Sequence, residues 1–102
     1  METFKINYSK NKGVSEVEFN GQLNINNIEK IAKDLKTNLN FGNSLNIVIK
    51  KVENIDLAFI QLIYSLKIKG KKEQNEVSIS IDIPKDLKNL IINAGFSEFI
   101  KN

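Results

Sequence analysis

The run LNIVIKKVENIDLAFIQLIYSLKIKG, residues 45–70, decides how this chain is read. It opens on Leu45-Asn46-Ile47-Val48-Ile49, apolar almost throughout, as in a strand covered on both sides and central in its sheet. It closes on a helical segment, 56–69, that Asp56 can cap and Gly70 can end. A strand passing into a helix is the first half of a β-α-β unit, which demands a right-handed crossover to a parallel neighbour. At about 100° per residue, Phe59, Leu62, Ile63 and Leu66 fall on one side of that helix, with Ile60 at the edge. Leu57, Gln61, Tyr64 and Ile68 fall nearly opposite, at i, i+4, i+7 and i+11. The helix thus carries two apolar stripes. Neighbouring helices can bury both, as is usual for helices apolar all round. Alternatively the second stripe faces solvent and meets another protein, since a tyrosine among aliphatics is the composition of an interface core.

Outward from this unit the pattern is regular. Phe4, Ile6 and Tyr8 alternate with Lys5, Asn7 and Ser9, the period of a half-buried strand. Asn11-Lys12-Gly13 turns the chain into a second strand, 14–19, with Val17 and Phe19 on one face and Glu16 and Glu18 on the other. So short a loop predicts an antiparallel hairpin. Asn20-Gly21 ends that strand, and Asn26 or Asn27 can cap a helix whose stripe is Ile28, Ile31, Ala32, Leu35 and Leu39. After the central unit, Val77, Ile79, Ile81 and Ile83 alternate with Ser78, Ser80 and Asp82 as a fourth strand. Pro84 suits the first turn of a third helix. Leu87, Leu90, Ile91 and Ala94 form its stripe, Gly95 its left-handed end and Phe96 the apolar partner of that end. Phe99 and Ile100 are expected to cover the core edge. The order is β-β-α-β-α-β-α. The clean alternation of the first, second and fourth strands predicts an α/β fold, a mixed sheet of four to five strands with helices mainly on one face. Residues 1–102 read as one domain.

Composition narrows the chemistry. The 102 residues hold 15 Lys, no Arg, no His, no Cys and 12 acidic residues, for a formal charge of +3. Without Cys or His there is no disulfide, no thiol nucleophile, no imidazole base and no His- or Cys-ligated metal. Without Arg there is no bidentate phosphate fork. No cofactor or metal is expected and an enzyme is not. The lysines are interleaved with acids, unlike the dense basic face of a nucleic-acid binder, so no nucleic acid is expected. Lys67, Lys69, Lys71 and Lys72 read as a solvated helix end whose cations complement the dipole. No apolar run reaches the roughly 18–20 residues of a membrane span. The start, Met1-Glu2-Thr3-Phe4-Lys5, lacks the order of a signal peptide, and a cytoplasmic protein is expected.

Four stretches together resemble the STAS family, the sulfate transporter and anti-sigma factor antagonist domains. Gly21-Gln22-Leu23-Asn24-Ile25 is similar to its Gly-x-Leu-Asp-Ile segment, and Leu45-Asn46-Ile47-Val48-Ile49 to its central strand. Asn54-Ile55-Asp56-Leu57-Ala58-Phe59-Ile60-Gln61-Leu62 resembles the loop and helix start that hold the family's regulatory serine. Leu90 onward, with Ala94-Gly95-Phe96, resembles its closing helix. The resemblance implies a bacterial, non-enzymatic regulatory module that binds a kinase-fold anti-sigma factor and releases it on phosphorylation. Asp56 matches the family aspartate, but the acceptor position is Ala58, which has no hydroxyl. Leu57 and Phe59 also depart from the pattern, and Asn24 replaces the usual acid.

The resemblance therefore implies a protein-binding signalling domain of the anti-sigma factor antagonist type, without phosphorylation at the usual helix start. Its expected contact residues are Asp56, Leu57, Ala58, Gln61 and Tyr64. The alternative is an accessory subunit docking to the ATPase of a lipid-transport ABC transporter. A homodimer through the second stripe is a further option. Asp56 also has the simpler role of a helix cap, worth about 1 kcal/mol.

Overall fold

The computed structural model describes residues 3–95. Phe96, Phe99 and Ile100, with the roles expected of them, lie outside that span. The first strand, β1 (Phe4–Asn11), pairs antiparallel with β2 (Val14–Leu23). Lys12 and Gly13 join them, both at positive φ, 52° and 82°. That is the demand of a type I′ turn, whose twist matches the strands it connects. Helix α1 (Ile28–Asn38) leads to β3 (Ser44–Ile55), then α2 (Leu57–Lys72), β4 (Glu76–Ile81) and α3 (Lys85–Asn93). The four described strands lie in the order β1-β2-β3-β4, with β2, β3 and β4 mutually parallel. The expected mixed sheet and element order are both present.

Alternation sets the layers. Val17, Phe19, Leu45, Ile47, Ile49 and Ile81 are buried, while the residues between them on β2 and β3 are half-exposed and those on β4 open to solvent. Helices cover the apolar face: Phe59 of α2 meets Phe19 edge-on, ring centroids 5.2 Å apart at 76°, a favoured aromatic geometry. Ile31 and Leu35 of α1 and Ile60 and Ile63 of α2 complete the core. The opposite face carries the Glu18–Lys50 ion pair at 3.5 Å.

Several boundaries differ from the sequence expectation. Strand β2 does not stop at Asn20-Gly21 but runs on to Leu23, and β3 is twelve residues long. The extension is bulged. The β2–β3 register shifts on either side of Gly21, and Leu23 ends opposite Ile55, both buried. Lys51 takes φ 53° in this stretch, and Asn20 Nδ2 donates to the Lys50 carbonyl at 2.7 Å. A bulge needs such a partner for the backbone group it unpairs. Gly21 sits at φ 93°, where a Cβ would lie 2.5 Å from the Thr3 carbonyl oxygen. The glycine thus permits a close strand approach and does not terminate the strand.

Gly70 likewise does not end α2, which continues to Lys72. It is buried, and a Cβ there would lie 2.3 Å from Val77 Cγ2. Asn27 stands at the N-cap position of α1, but its side chain accepts no first-turn amide. Its amide instead bonds Thr3 Oγ1 and the Gln22 carbonyl, each at 2.8 Å. Pro84 occupies the N-cap position of α3, one residue before the helix. Of the stripe expected on α3, Ile91 is buried and Leu87 partly so, whereas Leu90 and Ala94 are exposed. Gly95 does take the left-handed conformation, φ 94°.

Candidate functional site at the start and outer face of α2

The site is built where two parallel strands end side by side. The Leu23 carbonyl accepts the Asp56 amide at 3.2 Å, so the β2–α1 loop and the β3–α2 junction leave the sheet together. Asp56 then divides its carboxylate. Oδ1 accepts the Phe59 amide at 3.2 Å, capping α2, and Oδ2 accepts the Ile25 amide of the neighbouring loop at 2.7 Å. Asn24 reinforces the junction: its Nδ2 donates to Asn54 Oδ1 at 2.6 Å, and its own Oδ1 accepts the Asn26 amide at 3.1 Å. The side-chain oxygens of Asp56 are thus committed to backbone donors, which holds the helix start in one position.

From that start, α2 presents the second stripe to solvent. Leu57 is 40% exposed, Tyr64 44% and Ile68 51%, and Ile25, bonded to Asp56, is 62% exposed. Gln61 is exposed among them, and Ala58 is half-buried in the first turn. The opposite stripe is in the core, with Phe59, Ile60 and Ile63 fully buried and Leu62 and Leu66 partly so. Of the two readings the sequence allowed for this helix, neighbouring elements bury one stripe and leave the other open. All five expected contact residues, Asp56, Leu57, Ala58, Gln61 and Tyr64, sit on α2 or its cap.

Sequence reasoning did not place Ile25 or the Asn24–Asn54 pair in this site. The cluster Asn24-Ile25-Asn26-Asn27 was the available signal, since an isolated isoleucine among asparagines in a loop has little core to enter. Ser65, exposed on α2, donates to the Leu62 carbonyl of its own turn at 2.6 Å. Elsewhere, Tyr8 of β1 donates to Asp34 Oδ1 of α1. Burial and then this bond to a carboxylate push the Tyr8 hydroxyl above the ordinary tyrosine range. Among the described residues no helix is long and apolar enough to cross a membrane.

A bulged mixed sheet, helices on one face and a capped α2 beside the β2–α1 loop are the architecture of a STAS domain. The family model described as "STAS domain" matches residues 5–102, and the chain belongs to that family. Two solved structures share the fold. One is an antisigma-factor antagonist STAS domain from Rhodobacter sphaeroides, with 20% identity, a TM-score of 0.58, and 76% of this chain and 86% of that one covered. The other is the anti-sigma factor antagonist SpoIIAA in its unphosphorylated form, with 11% identity, a TM-score of 0.68, and 94% and 85% covered. No curated protein matches the chain.

Proposed function

We propose that this STAS domain is a non-enzymatic, protein-binding regulatory module of the anti-sigma factor antagonist type. The observation that carries the reading is the open stripe of α2, Leu57, Gln61, Tyr64 and Ile68, beginning at a helix start pinned by Asp56. A rigid apolar strip with an aromatic at its middle suits a docking core, where rigid anchors bind without a large ordering cost. The two structural neighbours, both described as anti-sigma factor antagonists, support the same kind of role.

In this reading Ala58 stands where regulatory STAS proteins carry a phosphorylated hydroxyl. A methyl side chain accepts no phosphoryl group, so control passes to the abundance or state of the partner. The partner is a signalling protein, with a kinase-fold regulator as the first candidate and the ATPase of an ABC transporter as the alternative. Affinity capture from the source organism tests this. The wild type should enrich one such partner, and Tyr64→Ala and Ala58→Glu should each lose it. Capture that survives both substitutions refutes α2 as the docking face.

A further inference from the structure

The stripe of α2 has a direction. Helix Leu57–Lys72 contains no acidic residue, and all four of its lysines lie in its last six positions. Lys69 is turned away, its Nζ 5.8 Å from the Phe41 ring centroid. Lys67 and Lys71 follow Tyr64 at i+3 and i+7, on the same side of the helix. They line a shallow depression of about 390 Å³ with Gln74, Asn75, Glu76 and Val77, between the end of α2 and the start of β4. Among the described residues neither lysine has an ion-pair partner. Its lining thus holds two lysines, a glutamine and an asparagine against a single acidic residue, Glu76.

From this charge pattern we infer that the occupant of the α2 face is a protein surface whose apolar ridge ends in a cluster of carboxylates, with the acidic end seated over Lys67 and Lys71. The inference rests on the docking role proposed above and adds the orientation and charge of the partner. A second copy of the chain fits less well. A parallel copy sets lysines against lysines. Within the N-cap and first turn of α2, an antiparallel copy offers them only Asp56, whose oxygens already hold the Ile25 and Phe59 amides.

Two synthetic helical peptides test it on the isotope-labelled intact chain by NMR titration. Both carry the same leucine ridge; one ends in a run of glutamates, the other in glutamines. The glutamate peptide should bind about 5-fold tighter in low salt, the scale of two rim charge pairs. The advantage should vanish above about 0.3 M salt and in Lys67→Gln/Lys71→Gln, whose exposed sites leave the fold intact by circular dichroism. If both peptides shift Leu57, Tyr64 and Ile68 equally, the acidic end is overturned while the docking reading stands. If neither perturbs α2, the acidic end is again overturned, and docking is judged by capture alone. Retention on phosphatidylglycerol vesicles through the same lysines, or self-association that Lys67→Gln/Lys71→Gln does not alter, also overturns it.

Discussion

Asp56 Oδ2 accepts the Ile25 amide at 2.7 Å, tying the loop before α1 to the cap of α2. Its other oxygen caps the helix through Phe59. One carboxylate therefore sets the relative position of two loops and the first turn of the outward-facing helix.

Asp56→Ala should destabilise the domain by about 1–2 kcal/mol, since it removes a cap and a charge-assisted bond to the Ile25 amide. Urea denaturation reads the loss. Hydrogen exchange at Ile25 and Phe59 should quicken more than at Ile49 in mid-strand. Uniform quickening would refute a local clamp.

Gly70→Ala sets helix propensity against packing. The added methyl would meet Val77 Cγ2 at 2.3 Å. Overpacking should outweigh the propensity gain and cost about 1–3 kcal/mol. Val77→Ala in the same chain should recover part of that loss, a coupling that a double-mutant cycle measures.

The two stripes of α2 should respond unequally. Ile63→Ala, in the core, is expected to cost about 2–5 kcal/mol. Ile68→Gln, on the open face, should change stability by less than about 0.5 kcal/mol. Equal losses in thermal or chemical denaturation would place Ile68 in a buried contact.

Ala58→Glu puts a carboxylate in a first turn that has no acidic residue. The free amides and the helix dipole favour that charge, so Tm should hold or rise while partner capture is lost. A fall in Tm would make the binding loss a folding effect.

Tyr8 predicts an alkaline limit. Its folded pKa lies above the unfolded value of about 10. The contribution is therefore complete below about pH 10 and is lost as pH rises through the folded value. Tyr8→Phe should remove that part of the alkaline fall in stability. In difference absorbance it should also remove a phenolate step displaced above the usual tyrosine range.

Much of the fold was legible because its signals are local. Alternation in Phe4-Lys5-Ile6-Asn7-Tyr8 and the stripe from Ile28 to Leu39 report strand and helix from residues in contact with each other. The errors share a cause. Gly21 and Gly70 read as terminators because a glycine often stops an element. Both lie inside elements, where Thr3, remote from Gly21 in sequence, and Val77, on the strand after Gly70's helix, leave no room for a Cβ. Asn27 read as a cap, but its Nδ2 donates to the Gln22 carbonyl and the distant Thr3 hydroxyl, which hold the side chain, and it makes no cap bond.

The same division holds for the site. Sequence alone determined that α2 has two apolar stripes, that Asp56 can cap it and that position 58 has no hydroxyl. Each of these follows from side-chain identity and helical period. Only the tertiary structure decided which stripe is exposed, that Ile25 is tied to the helix cap and that Lys67 and Lys71 share a depression with the start of β4. Exposure depends on what packs alongside: the β2–α1 loop and β2 reach α2 from distant parts of the chain, and β4 folds back on it through the turn that follows the helix.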